Sequence, residues 1–327
     1  MKKRVFSGVQ PSGELHIGNY LGAIRNWVED QEEYESIFCV VDLHAITVLQ
    51  DPAILKEKTR EVAKIYLAAG IDPKQATIFV QSHIPEHAEL AWILNTVIPM
   101  GWLYRMTQFK DKSVDQKENV SVGLFDYPAL MASDILLYQT HYVPVGEDQR
   151  QHIELARDAA QRFNHLFGNT FTIPEAVIRE TGARMMGLDD PSKKMSKSAD
   201  NPYHSIGLLD ELESIRRKIS RAVTDSYREI RFDLTRPGIY NLLTIYQLLS
   251  GEAREVIEGR FEGKGYAEFK RELADLVIES LRPFQQRYRE LSQDPQHIER
   301  ILQEGAARVE PIARQTLQKV KEGMGLG

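Results

Sequence analysis

Two short segments hold the residue types best suited to handling phosphate. The first, Pro11-Ser12-Gly13-Glu14-Leu15-His16-Ile17-Gly18-Asn19, places His16 and Asn19 three residues apart at the expected start of a helix. Its glycines permit close backbone approach, and a helix N-terminus offers unsatisfied N–H groups to an anion. The second, Lys194-Met195-Ser196-Lys197-Ser198, lies between Asp189-Asp190-Pro191-Ser192-Lys193 and Asp200-Asn201-Pro202. Small residues and proline around it predict a loop. Lysines on such a loop would neutralise charge moving between phosphates, and phosphoryl-type chemistry depends chiefly on positioning and neutralisation. Singly, each segment is a weak signal, because a glycine-rich turn is more often only a turn and most lysine pairs are only solvated. Their order along the chain makes the pair far more specific.

The elements that must position these segments are legible from periodicity. Lys3–Ser7, Ser36–Val41, Thr77–Val80 and Tyr142–Val145 read as short strands, alternating with helical patterns at Asp51–Leu67, Glu86–Val97, Tyr127–Gln139 and Asp148–Phe163. That alternation predicts an α/β fold with a parallel sheet. The first motif then falls between the first strand and the first helix, and the second at the end of the α/β half. Beyond Pro202 strand signals fade, and Leu208–Arg221, Gly238–Leu249, Glu252–Glu258, Tyr266–Leu291 and Ile298–Met324 read as helices. The chain length of 327 residues suits two domains, and we place the boundary near residue 203.

Composition narrows the class. Charged residues at 27% and the lack of any apolar run near the ~20 residues of a membrane span predict a soluble protein. No apolar core follows the basic Met1-Lys2-Lys3-Arg4, so a secretion signal is not expected. The single Cys39 cannot form an internal disulfide or a cysteine-rich metal site, which fits the cytosol. A net charge of −6 means that any nucleic-acid contact must use local patches, such as Arg216, Arg217, Lys218 and Arg221, although a solvated helix face explains that cluster equally well.

With both motifs present in this order, the chain resembles the class I aminoacyl-tRNA synthetases, whose signatures are His-Ile-Gly-His and Lys-Met-Ser-Lys-Ser. The second is matched completely, while Asn19 stands where the first usually ends in histidine. Phe6-Ser7-Gly8-Val9-Gln10-Pro11-Ser12-Gly13, Val41-Asp42-Leu43-His44-Ala45-Ile46-Thr47, Met106-Thr107-Gln108-Phe109-Lys110, Leu130-Met131-Ala132-Ser133-Asp134-Ile135-Leu136 and Val145-Gly146-Glu147-Asp148-Gln149 are similar to the bacterial tryptophan branch. The likeness is strong from about residue 4 to residue 202. It continues more weakly through Ala222-Val223-Thr224-Asp225-Ser226 and Glu262-Gly263-Lys264-Gly265-Tyr266.

The resemblance implies a Rossmann-like doubly wound parallel sheet in a catalytic domain over 1–203, followed by an all-helical anticodon-binding domain over 204–327 whose last helix braces the first. It implies activation of L-tryptophan by ATP and transfer to tRNA(Trp), with Mg2+ accompanying ATP, no protein metal cage, and a homodimer joined through the α/β half. By resemblance His16, Asn19, Lys110, Lys112, Lys194 and Lys197 are the catalytic group. Gln10, Ser12, Gly18, Gly146, Asp148, Met195 and Ser196 join Asn19, Lys194 and Lys197 around ATP. Phe6, Met131, Val143 and Val145 resemble the walls of the indole slot, and Tyr127, Gln149 and His44 the residues around the amino and carboxylate groups.

An indole offers only a donor, so its slot needs one acceptor, which we assign to Asp134. On an apolar helical pattern an inward carboxylate is costly without a partner. The bland readings are a solvent-facing Asp134, ordinary core for the apolar residues, a structural His44 and helix-start acids at Glu147 and Asp148. Other functions fit less well. A dinucleotide dehydrogenase lacks its G-x-G-x-x-G here, and a small-molecule adenylyltransferase would not need the lysine loop with a long helical appendage. A tyrosyl-tRNA synthetase would arrange its groups for a phenol, and a non-catalytic RNA-binding paralogue would be expected to lose His16, Lys194 or Lys197.

Overall fold

Runs of β-branched and aromatic residues build one parallel sheet in the computed structural model, which describes residues 2–106, 121–178, 185–196 and 201–327. The strands are β1 (Arg4–Val9), β2 (Glu35–Val40), β3 (Thr77–Val80), β4 (Tyr142–Pro144) and β5 (Glu175–Val177), in spatial order β3-β2-β1-β4-β5. β2 and β3 are almost wholly buried, as strands covered on both faces must be. The expected α/β class, a Rossmann-like doubly wound parallel sheet with a helical C-terminal region, is the one that forms. Expected and observed strands agree closely except for β5, whose Glu-Ala-Val is too short to show a period.

The chain leaves β1 toward β2 and β3 on one side, then returns to β4 on the other. Loops at the carboxyl ends of β1 and β4 therefore diverge, and that switch point is where open parallel sheets bind ligands.

The connecting helices are α1 (Arg25–Asp30), α2 (Pro52–Ala69), α3 (Glu86–Asn95), α4 (Val122–Leu136) and α5 (Arg150–Phe167). Local chemistry sets their ends. The Asp51 carboxylate accepts from the N–H groups of Ala53 and Ile54 at 2.8 and 3.1 Å, Pro52 opens α2, and Gly70 closes it at a left-handed φ of 111°. The expected helix at Tyr127–Gln139 begins earlier, where the Ser121 hydroxyl accepts from Leu124 N–H at 3.2 Å.

The described chain packs as two compact units. One, the sheet unit, comprises residues 1–12, 27–179 and 294–327; the other, the helical unit, comprises 13–26 and 180–293. The last helix, α10 (Pro295–Met324), belongs to the sheet unit and packs on β3. Gly305 makes that approach possible, because a Cβ there would lie 1.8 Å from the carbonyl oxygen of Ile78. The helical unit holds α6 (Leu212–Arg221), α7 (Pro237–Ser250), α8 (Arg254–Phe261) and α9 (Tyr266–Ser292), with α6 and α7 both packed on α9.

Candidate active site

A cavity of about 310 Å3 opens in the sheet unit, lined by β1 residues Phe6, Ser7 and Gly8 and β4 residues Val143 and Pro144, with Val145 just beyond. Its volume is within the range of small-molecule sites. All eight residues assigned from sequence to the amino acid line it: Phe6, His44, Tyr127, Met131, Asp134, Val143, Val145 and Gln149. Gln10 lines it too, and its amide donates to the His44 carbonyl at 3.1 Å. Burial pushes the Tyr127 phenol up to about 12, so it stays protonated, and its hydroxyl meets His152 Nε2 at 2.9 Å.

Asp134 points inward and is almost completely buried. Three side chains meet its carboxylate: Gln81 Nε2 and His87 Nδ1 reach Oδ1 at 2.6 and 2.7 Å, and His44 Nε2 reaches Oδ2 at 2.7 Å. Burial by itself would raise the carboxyl pKa. The neighbouring His44 and His87 outweigh that and hold it well below the usual carboxylate range. Asp134 is therefore an anion, and a carboxylate accepts at about four lone-pair positions. With Oδ1 serving two donors and Oδ2 one, the remaining capacity is on Oδ2. That arrangement suits a ligand presenting a single donor to Asp134 from beside the apolar walls of Phe6, Met131, Val143 and Val145.

The sequence reading missed Gln81, His87, Tyr138 and Ser7. Gln81 and His87 are fully buried polar residues on a chain stretch with no motif, so a buried-polar pattern was the only available signal. Ser7 has a buried hydroxyl with no hydrogen-bond partner, and it lines the cavity.

Beside the cavity, Gly146 precedes a short turn in which a Cβ would lie 2.7 Å from Asp148 Oδ1, so glycine permits this fold of the carboxylate. Asp148 is exposed, and its Oδ2 accepts from Gln149 Nε2 at 3.1 Å. Ser12 is half-buried after a turn to the Gln10 carbonyl at 2.9 Å.

The part of the first motif from Gly13 to Asn19 lies in the helical unit and is fixed by backbone hydrogen bonds. Leu208 N–H donates to the Leu15 carbonyl and Ile17 N–H to the Ile206 carbonyl, both at 2.9 Å. The Asn19 side-chain oxygen accepts from His16 N–H at 3.0 Å, which commits that atom to shaping the turn. Gly18 leaves room for the His16 ring, whose atoms would lie 3.0 Å from a Cβ, and a π-helical turn follows at Tyr20–Ile24. Such turns are often functional.

The described part of the second motif lies in a loop, as expected, which an isolated antiparallel bridge between Met186 and Lys194 closes like a hairpin. Met195 N–H donates to the Met185 carbonyl at 2.9 Å and Gly187 N–H to the Lys193 carbonyl at 2.8 Å, leaving Lys194 exposed, Ser196 half-buried and Met195 buried. His204 braces it, with Nε2 3.0 Å from the Lys194 carbonyl and Nδ1 2.6 Å from Asp189. Lys110, Lys112 and Lys197 lie outside the described residues.

The basic cluster on α6 is largely engaged. Arg216 pairs with Glu213 and Asp275, both at 3.1 Å, Lys218 pairs with Asp210 at 2.7 Å, and Arg221 lies over the Tyr203 ring. Among the described residues no group of three or more His, Cys, Asp or Glu could hold a metal ion, and no helix is long and apolar enough to cross a membrane.

Comparison with known proteins identifies what this arrangement resembles. The family model described as tRNA synthetases class I (W and Y) matches residues 1–282. The chain is 56% identical over 326 residues to a tryptophan–tRNA ligase of Wolinella succinogenes, covering 100% of this chain and 99% of that one. A tryptophanyl-tRNA synthetase structure from Mycoplasma pneumoniae superposes with a TM-score of 0.94 at 39% identity, covering 100% of this chain and 99% of the other. One from Campylobacter jejuni, complexed with ADP and tryptophan, gives 0.84 at 40% identity, covering 99% and 100%.

Proposed function

We infer the activity from one premise: this chain belongs to the class I tRNA synthetases of the tryptophan and tyrosine group. It is a tryptophan–tRNA ligase, which activates L-tryptophan with ATP to tryptophanyl-adenylate and transfers it to the 3′ end of tRNA(Trp). The observation that carries the choice of amino acid is Asp134, an ionised and nearly buried acceptor in a cavity whose walls include Phe6, Met131, Val143 and Val145.

In this reading the substrate carboxylate attacks the α-phosphate in line and pyrophosphate leaves, with no protein nucleophile. Asp134 accepts the indole N–H between Phe6, Met131, Val143 and Val145, while Tyr127 and Gln149 hold the amino group and Gln10 and His44 attend the carboxylate. Ser12, Gly146 and Asp148 contact ATP, the last through ribose hydroxyls able to donate to its carboxylate. His16, Gly18 and Asn19 serve the adenosine and phosphates. Lys110, Lys112, Lys194 and Lys197 stabilise charge moving onto pyrophosphate, with Met195 and Ser196 completing that loop. Mg2+ bound with ATP would neutralise charge on its phosphates, as suits an ion that dehydrates reluctantly.

Activation is assigned to residues 1–203 and anticodon binding to 204–327, with α10 serving as a brace on the sheet. The need for tRNA and ATP supports a cytosolic location. Assembly as a homodimer through the sheet unit is supported by exposed apolar Trp92, Met100, Tyr104 and Val122. The test of function is ATP–pyrophosphate exchange with each standard amino acid. Exchange should depend on tryptophan and stay near background with tyrosine or phenylalanine, and the reverse preference would contradict the assignment.

A further inference from the structure

We propose that Tyr138 and His87 form a buried positioning relay, which fixes the Asp134 carboxylate so that Oδ2 meets the substrate indole N–H; the proposal rests on the reading of Asp134 above. His87 Nε2 lies 2.6 Å from the Tyr138 hydroxyl, and His87 Nδ1 lies 2.7 Å from Asp134 Oδ1. An ionised carboxylate can only accept, so Nδ1 must carry the proton. In the neutral ring this leaves a lone pair at Nε2, to which the Tyr138 hydroxyl donates. The phenol thus selects the tautomer that grips Asp134. Burial raises the Tyr138 pKa well above the ordinary value, so the hydroxyl keeps the proton it donates.

Neighbouring contacts hold the relay itself. The His87 ring stacks on Phe79 at 6.0 Å between centroids, and the Ser133 hydroxyl donates to the His87 carbonyl at 2.7 Å. On the same oxygen as His87, the Gln81 amide is oriented by Leu43 N–H, which donates to Gln81 Oε1 at 3.1 Å and so turns Nε2 toward Asp134. Both protein donors from this side therefore converge on Oδ1, leaving Oδ2 to His44 and the ligand. Loss of the grip would let the carboxylate rotate, and a rotated carboxylate misplaces its spare lone pair. A contact that reads one N–H tolerates little such motion.

The test compares kcat/KM in pyrophosphate exchange for tryptophan and for an analogue carrying sulfur in place of the ring N–H. Tyr138→Phe keeps the ring and removes only the hydroxyl. It should lower the tryptophan value about 3- to 10-fold, the worth of one hydrogen bond, and leave the analogue and the KM for ATP nearly unchanged. His87→Leu should reduce the preference for tryptophan further, and His87→Asn, which can place a donor near Nδ1, should restore part of it. Parallel losses for both substrates in folded Tyr138→Phe protein would overturn the relay and leave these residues as supports of the core. Should Asp134→Asn also leave the tryptophan preference intact, the fault would lie in the reading of Asp134; should it abolish the preference while Tyr138→Phe and His87→Leu do not, only the relay fails.

Discussion

The cavity and the lysine hairpin are held in different ways. Around Asp134 the fixing contacts join side chain to side chain, and they are buried and charge-assisted. Around Lys194 they run largely from main chain to main chain, and the lysine itself is exposed. Recognising one N–H requires an acceptor already in place, because any reorganisation on binding subtracts from discrimination. Neutralising phosphates that change charge during reaction requires cations whose backbone is anchored and whose long side chains adjust. In the proposed reading the two regions would divide the work between an acceptor held in place for the amino acid and a backbone-anchored source of positive charge.

The largest effect that would break this comparison is structural. Gly305→Leu places side-chain atoms where the Ile78 carbonyl already lies, a backbone clash that no rotamer relieves. Overpacking generally costs about 1–3 kcal/mol, and this change should reach or exceed the upper end. Urea unfolding should show a sharply lowered midpoint, with tryptophan binding lost alongside the fold. Gly259→Ala, at a helical glycine with nothing within 4 Å, is the control and should shift the midpoint little. An unchanged midpoint for Gly305→Leu would mean that α10 does not brace the sheet.

Next in size, Lys194→Ala should lower kcat for exchange roughly 100- to 1,000-fold, the scale for losing one charge-stabilising group in a transition state, while the dissociation constant for tryptophan stays near wild type. A large loss of tryptophan binding with normal kcat would contradict the separation of the two regions.

Legibility in the sequence followed the same divide. The segments proposed to handle phosphate were visible as local patterns because such work needs particular residue types close together in the chain, as at His16 to Asn19 and Lys194 to Ser198. The strands were visible because burial on both faces demands continuous apolar runs, as in Ile37 to Val40. The relay behind Asp134 was invisible for the opposite reason. Gln81, His87 and Tyr138 meet only through packing of separate elements, and no local spacing announces a contact such as that between Gln81 and Asp134, 53 residues apart. The family resemblance implied a bracing last helix, but its contact with β3 had a local trace only in Gly305, which reads as an ordinary helix weakness until Ile78 is seen against it. Asn19 shows the limit of motif matching, since its oxygen shapes the backbone of its own turn.

The most direct test of the central claim is a double-mutant cycle at Asp134. Asp134→Asn preserves shape, keeps an oxygen for the Gln81 and His87 donors, and puts an amide where Oδ2 accepted. Measured as kcat/KM with tryptophan and with the analogue lacking the ring N–H, the variant should cost tryptophan about 1.5–3 kcal/mol more than the analogue, the worth of a hydrogen bond to a charged group. The analogue should be unchanged or improved, because the unmatched buried charge is gone. Equal losses for both substrates, giving a coupling energy near zero, would show that Asp134 supports the fold and does not read the indole.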